Sequence, residues 1–367
     1  LALALVLLAS PFRDLFFAVI ETPVNALIAS SQAGVRFLFG PLAELGPSFA
    51  LSVLPIIVFM GSLFGILYHL RLVQPVVRVL GRLLSRGLRI SGAEGLAAIA
   101  NLFVGMIESG LVVRPYLKDM TRSELFTFMT LGMATIAGSV LVAYVTILGG
   151  GEFAGHLVVA SLVSAPAAVV VAKLMVPETG RPRTLGDTPD LPDVRAHNLI
   201  DAATEGGLTG LRLALNIGAL LVAFVALIAL VNLVLGGLGG LVGFPELTLQ
   251  SILGTLLAPL AFVMGVPWSE AREIGALIGL KTILNEFVAY EALAEAMADG
   301  RVSPRSAVIA AYALCGFANF GSLAILLGGI QGVAPERRAE AAELGLRSIV
   351  GGTIATCMTG CLAGMIA

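Results

Sequence analysis

Apolar stretches near twenty residues recur along the chain, at 48–70, 125–148, 154–175, 211–235, 307–327 and 344–366, with the end of another at 1–9. A helix needs that length to cross ~30 Å of hydrocarbon. Between 72 and 90 the pattern changes. Arg78, Arg82, Arg86 and Arg89 recur at helical spacing and mark the polar face of a helix lying on a membrane surface. Segments 21–40 and 244–266 also read as interfacial, the latter ending beside Trp268, where an aromatic anchor belongs. The first apolar run starts at residue 1, and the expectation is a further span ahead of it.

Two segments, 91–117 and 270–297, are apolar but carry glycine, asparagine and glutamate in mid-run. Their glutamates are Glu108 and Glu286. A charge at bilayer depth costs at least ~2.5–3.5 kcal/mol, so such a residue is a functional candidate. Each segment is either a single span or a hairpin that enters and leaves on one face, with its non-helical tip buried in protein. Basic residues decide between these. With two hairpins, Arg71, Arg78, Arg82, Arg86, Arg89, Arg114, Lys118, Arg122, Arg181, Arg183, Arg195, Arg337 and Arg338 share one side. Arg13, Arg36, Arg272, Arg301 and Arg305 take the other. The positive-inside rule then places the first hairpin on the cytoplasmic side and the second on the outer side.

A repeat follows. Residues 1–176 hold a partial span, interfacial helices, hairpin 91–117 and two spans. Residues 211–367 hold a span, an interfacial helix, hairpin 270–297 and two spans, and 177–210 is a polar cytoplasmic linker. Glu108 precedes Ser139 by 31 residues (139 − 108), and Glu286 precedes Ser322 by 36 (322 − 286). Hairpins from opposite faces make the repeats inverted, a transporter plan with its substrate site at the repeat interface. The expected fold is thus an all-α polytopic membrane protein with inverted repeats, two re-entrant hairpins, discontinuous helices and interfacial helices.

Composition agrees. Charged residues make up 13% of the chain and hydrophobic ones 57%, whereas a soluble domain carries about a quarter charged. A net charge of −2 argues against nucleic acid. Cys315, Cys357 and Cys361 sit in apolar segments without metal-ligand spacing and read as small packed hydrophobes. His69, His156 and His197 read as solvated or snorkelling. No nucleophile–base arrangement and no phosphate-cradling glycine loop is present, so no enzyme and no cofactor are expected.

Several blocks now point one way. Asn101-Leu-Phe-Val-Gly, Val-Arg-Pro-Tyr-Leu-Lys118, Gly-Met-Ala-Thr-Ile-Ala-Gly-Ser139, Lys-Thr-Ile-Leu-Asn-Glu-Phe-Val-Ala-Tyr290 and Cys-Gly-Phe-Ala-Asn319 resemble the concentrative nucleoside transporters, in the same order. The resemblance implies a homotrimer in a bacterial-type inner membrane that imports nucleosides with sodium, or with protons in some branches. It assigns ribose to Glu286, Asn319 and Ser322, with Phe317 packed on the substrate and Glu108 and Val140 lining the site. It assigns sodium to the side chains of Asn101 and Thr135 and the carbonyls of Val104 and Ile136. The residues alone allow blander roles. Glu286 could form an ion pair with Lys281, and the polar side chains could be interhelical glue. Yet a carboxylate accepts hydrogen bonds from two vicinal hydroxyls at once, and a hard cation wants several oxygens.

One block departs. The family's hairpin motif is Gly-Gln-(Ser/Thr)-Glu-Ala-Pro-Leu, and this chain has Gly105-Met-Ile-Glu-Ser-Gly-Leu111. Met106 and Ile107 stand where two hydrogen-bonding side chains would read the nucleobase. A base edge left unpaired costs ~1–3 kcal/mol per group, so altered base choice is expected. The competing functions are proton coupling, a modified nucleoside or polyol as cargo, and a nucleoside-binding membrane sensor.

Overall fold

The computed structural model describes residues 13–44, 49–187, 196–241, 243–244 and 246–366; these are mostly helices, with a longer non-helical stretch at 176–187. The apolar run at 1–9 and Arg195 lie outside the described residues. In chain order the helices of the first half are α1 Arg13–Phe39, α2 Leu54–His69, α3 Val73–Leu88, α4 Gly92–Val104, α5 Met106–Val112, α6 Arg114–Leu117, α7 Arg122–Ala134, α8 Gly138–Ile147 and α9 Glu152–Met175. Those of the second half are α10 Leu199–Leu241, α11 Leu249–Val263, α12 Trp268–Ile283, α13 Glu286–Ala298, α14 Pro304–Leu314, α15 Phe320–Val333 and α16 Arg338–Ile366.

Six helical stretches among the described residues are long and apolar enough to cross a membrane. They include α1, a helix of 27 residues that contains the segment read as interfacial at 21–40 and is by length and composition also able to cross. Helix α10 starts at Leu199, inside the expected linker, and runs for 43 residues. Helices α11 and α12 meet at a bend of 115°, so the interfacial segment turns sharply into the second glutamate-bearing unit. Segments 91–117 and 270–297 are both broken helices, and neither is a continuous span.

Burial sorts the helices into layers. The apolar window of the α7–α8 stretch is 89% buried and that of α10 is 0% buried, so the former is the core and the latter the outer shell. Local chemistry sets the core boundaries. Ser91 and Glu94 form a capping box that starts α4, and Thr121 and Glu124 form another that starts α7. Lys173 of α9 ties these starts together, with Nζ 2.6 Å from Glu94 Oε1 and 3.0 Å from Ser123 Oγ.

The shell docks on the core through glycine. Gly61 and Gly65 of α2 face Ala202, Gly206 and Gly210 of α10, and a Cβ on Gly206 would lie 2.3 Å from the Gly61 carbonyl oxygen. Small residues at four-residue spacing permit this backbone approach. Gly206→Val is therefore expected to destabilise at or above the upper end of the ~1–3 kcal/mol seen for overpacking, because backbone cannot swing aside. Thermal unfolding of the purified variant checks this, and an unchanged midpoint would refute the close crossing.

Candidate functional site

Four helix breaks lie in the middle of the molecule. The first is Gly105, between α4 and α5, at φ +101°, a conformation that side-chain-bearing residues rarely adopt. The second spans Thr135 to Ala137, between α7 and α8. The third is Leu284 and Asn285, between α12 and α13, and the fourth runs from Cys315 to Asn319, between α14 and α15. The last two end on asparagine caps. Asn285 Oδ1 accepts from the Val288 N–H at 3.0 Å, and Asn319 Oδ1 accepts from the Ser322 N–H at 2.7 Å. Each break exposes unpaired backbone groups and the polarised end of a helix inside the protein. Glu108 and Glu286 sit in the first turns of α5 and α13, where a helix's positive end favours a carboxylate.

Glu286 is 3% exposed. Its Oε1 accepts from the Tyr144 hydroxyl at 2.8 Å and its Oε2 accepts from Asn319 Nδ2 at 2.9 Å. A carboxylate has about four acceptor positions, so one donor per oxygen leaves capacity for two more. The ion pair with Lys281 does not form. Lys281 is fully buried, and its Nζ donates instead to the Ala313 carbonyl at 2.9 Å and to Thr356 Oγ1 at 3.0 Å. Tyr144 is held by its own neighbours, stacked on Tyr290 with centroids 4.7 Å apart and tilted against Phe287 at 4.8 Å.

The structure brings Asn319, Ser322 and Glu286 together at the junction of α13 and α15, with Phe317 buried in the fourth break. Val140 is buried in the first turn of α8, the helix that also supplies Tyr144. Glu108 is half-buried and folds back over Gly105, where a Cβ would meet its Oε2 at 3.1 Å and Ala137 Cβ at 3.4 Å. Met106 and Ile107 line a narrow apolar crevice, too tight for a water molecule, with Gly110, Phe128, Leu326 and Ile330 among its walls.

Asn101 and Thr135 also meet. Asn101 Nδ2 donates to Thr135 Oγ1 at 2.5 Å and to the Leu131 carbonyl at 3.1 Å. Asn101 Oδ1 is buried without a hydrogen-bond partner among the described residues. Val104 closes α4, so its carbonyl is one of those a helix end leaves unpaired. The Ile136 carbonyl accepts from Ser161 Oγ at 3.3 Å. The donor set is a hydroxyl, an amide oxygen and helix-end carbonyls, all hard oxygens, which fits a monovalent or divalent hard cation.

Tyr144 and Ser161 escaped the sequence. A buried tyrosine hydroxyl needs a partner, which pointed at Tyr144 without saying that the partner lies 142 residues away. His156 is half-buried rather than solvated, edge-on to Phe17 at a centroid distance of 4.9 Å and 3.4 Å from the Tyr312 hydroxyl.

Long apolar helices around a buried polar centre built from broken ones are the plan of a multi-pass membrane transporter. Residues 156–364 match the family model described as the C-terminus of Na+-dependent nucleoside transporters, and residues 50–151 match one described as nucleoside recognition. The chain is 47% identical over 345 residues to the uncharacterized transporter YutK of Bacillus subtilis, covering 93% of this chain and 84% of that one. It is 40% identical over 353 residues to the nucleoside permease NupC of Helicobacter pylori, covering 93% and 83%. CNTnw, solved in an inward-facing substrate-bound state, superposes with a TM-score of 0.92 at 43% identity, covering 100% of this chain and 88% of that one. The chain belongs to the concentrative nucleoside transporter family.

Proposed function

We propose that the protein is a sodium-driven importer of nucleosides that works by alternating access. The observation that carries this is Glu286, a buried carboxylate held on each oxygen by one protein donor and retaining acceptor capacity. Vicinal ribose hydroxyls match that capacity, with Asn319 and Ser322 beside them. Similarity to NupC and to substrate-bound CNTnw supports a nucleoside as cargo. Asn101, Val104, Thr135 and Ile136 would hold sodium, and the family model's sodium dependence supports that ion over a proton. One charge moving through 100 mV contributes ~2.3 kcal/mol, roughly fiftyfold in accumulation ratio. In this reading the two broken units 91–117 and 270–297 re-enter from opposite faces, and the protein sits as a homotrimer in a bacterial-type inner membrane. Sodium-dependent accumulation of uridine, adenosine and modified nucleosides in proteoliposomes tests it. Binding without accumulation would make the protein a sensor instead.

The base end of the site differs from the family motif. Met106 and Ile107 give an apolar wall where two hydrogen-bonding side chains are expected, and Met packs on aromatic faces of varied size. Ribose recognition is therefore kept while base choice is broad or shifted to less polar bases. Met106→Gln with Ile107→Thr is expected to tighten uridine by about 1–3 kcal/mol per restored group. Unchanged uridine binding by calorimetry would remove this explanation.

A further inference from the structure

The two repeats treat equivalent places differently. In the first, the last turn of α4 supplies Asn101, whose amide bonds the Leu131 carbonyl in the last turn of α7. A hydroxyl from the long helix that follows, Ser161 of α9, bonds the Ile136 carbonyl in the adjoining break. In the second, the last turn of α12 supplies Lys281, whose ammonium bonds the Ala313 carbonyl in the last turn of α14. A hydroxyl from the long helix that follows, Thr356 of α16, is its other partner. Thr356 spends its own proton on the Thr353 carbonyl at 3.0 Å, so toward Lys281 it can only accept. Tyr290 covers the remaining nearby carbonyl, Ala311, at 2.8 Å.

We propose that Lys281 is a built-in cation, its ammonium occupying in the second repeat the place that the first repeat leaves for the coupling ion. The first place has an unpaired buried oxygen, Asn101 Oδ1, and no charge of its own. The second has oxygens of the same kinds, two helix C-terminal ends, and a cation tethered between them. Helix C-termini favour positive charge. Lys281 is completely buried, its contacts are a carbonyl and a hydroxyl, and Glu286 acts on it only from beyond contact distance. A buried charge that touches no opposite charge is costly. Its role here is to hold α12, α14 and α16 around the fourth break without an exogenous ion. The chain then takes one sodium per protomer, not two. This rests on the sodium site proposed above, and the experiment separates the two.

Equilibrium binding of radioactive sodium to the wild-type protein in nanodiscs should saturate at one ion per chain, and two ions would overturn the proposal. Thermal unfolding against sodium, with choline as control, supplies a second arm. The sodium-dependent shift should vanish in Asn101→Leu and return in Asn101→Leu with Lys281→Thr, where the vacated oxygens accept an ion. It should stay absent when Lys281→Met replaces Lys281→Thr. A folded double variant that ignores sodium would overturn the built-in cation. If the wild type binds no sodium, the proposed coupling site falls, and a sodium response gained by Lys281→Thr alone still decides the role of Lys281. Should Lys281→Thr not fold, Lys281→Met decides: wild-type stability and uptake in that variant would show the charge to be idle.

Discussion

Glu286→Ala is expected to lower nucleoside affinity by about two to four orders of magnitude, since two charge-assisted hydrogen bonds of ~1.5–3 kcal/mol each are lost. Glu286→Gln is no silent replacement. Its amide oxygen can keep the Tyr144 hydroxyl, but its NH2 then faces Asn319 Nδ2, donor against donor. Asn319 cannot turn over to help, because its Oδ1 already accepts from the Ser322 N–H. The glutamine variant should therefore fall between wild type and alanine. A comparison of a nucleoside with its 2′-deoxy analogue isolates the contact. Wild type should prefer the ribose by about tenfold or more, one charge-assisted bond's worth, and the alanine variant should bind the two alike. Ribose preference that survives in Glu286→Ala would place the sugar elsewhere.

Asn101→Leu should remove the sodium response while sparing the fold. Leucine has a similar volume, and the Leu131 carbonyl keeps its bond from the Thr135 hydroxyl at 2.9 Å. The small oxygen set loses one side-chain ligand, and a hard cation is bound through ligand number. Apparent sodium affinity should drop by about tenfold or more, with nucleoside affinity in sodium-free buffer unchanged. Thr135→Val should give the same direction with a smaller cost to packing. Sodium-stimulated uptake at wild-type levels in both variants would move the ion to other residues.

Much of the layout was legible in the sequence. Glycine, asparagine and glutamate in the middle of apolar runs marked the broken units, and the breaks fall just before Gly138-Ser139 and Gly321-Ser322. Asn285 and Asn319 are cap residues whose type already signals a helix start. Hydropathy alone could not say how far helices continue. The 211–235 span lies within a helix from Leu199 to Leu241, because Ala202, Gly206 and Gly210 are retained for a crossing with α2 rather than for a turn. Pairing among buried polar groups was also hidden. Lys281 stands five residues from Glu286 and was open to a local ion pair, yet its partners come from α14 and α16. Local spacing proposes such contacts, and tertiary neighbours dispose of them.

Gly316, in the break that carries Asn319, lies against the Met133–Ala134 backbone that leads into Thr135; a Cβ on it would come within 2.8 Å of the Met133 carbonyl oxygen. The two halves meet there backbone to backbone, with the Thr356 methyl packed beside them, so a shift of one presses on the other. An ion seated on one side and a sugar on the other would then feel each other across abutting main chain, like two keys cut on one blank.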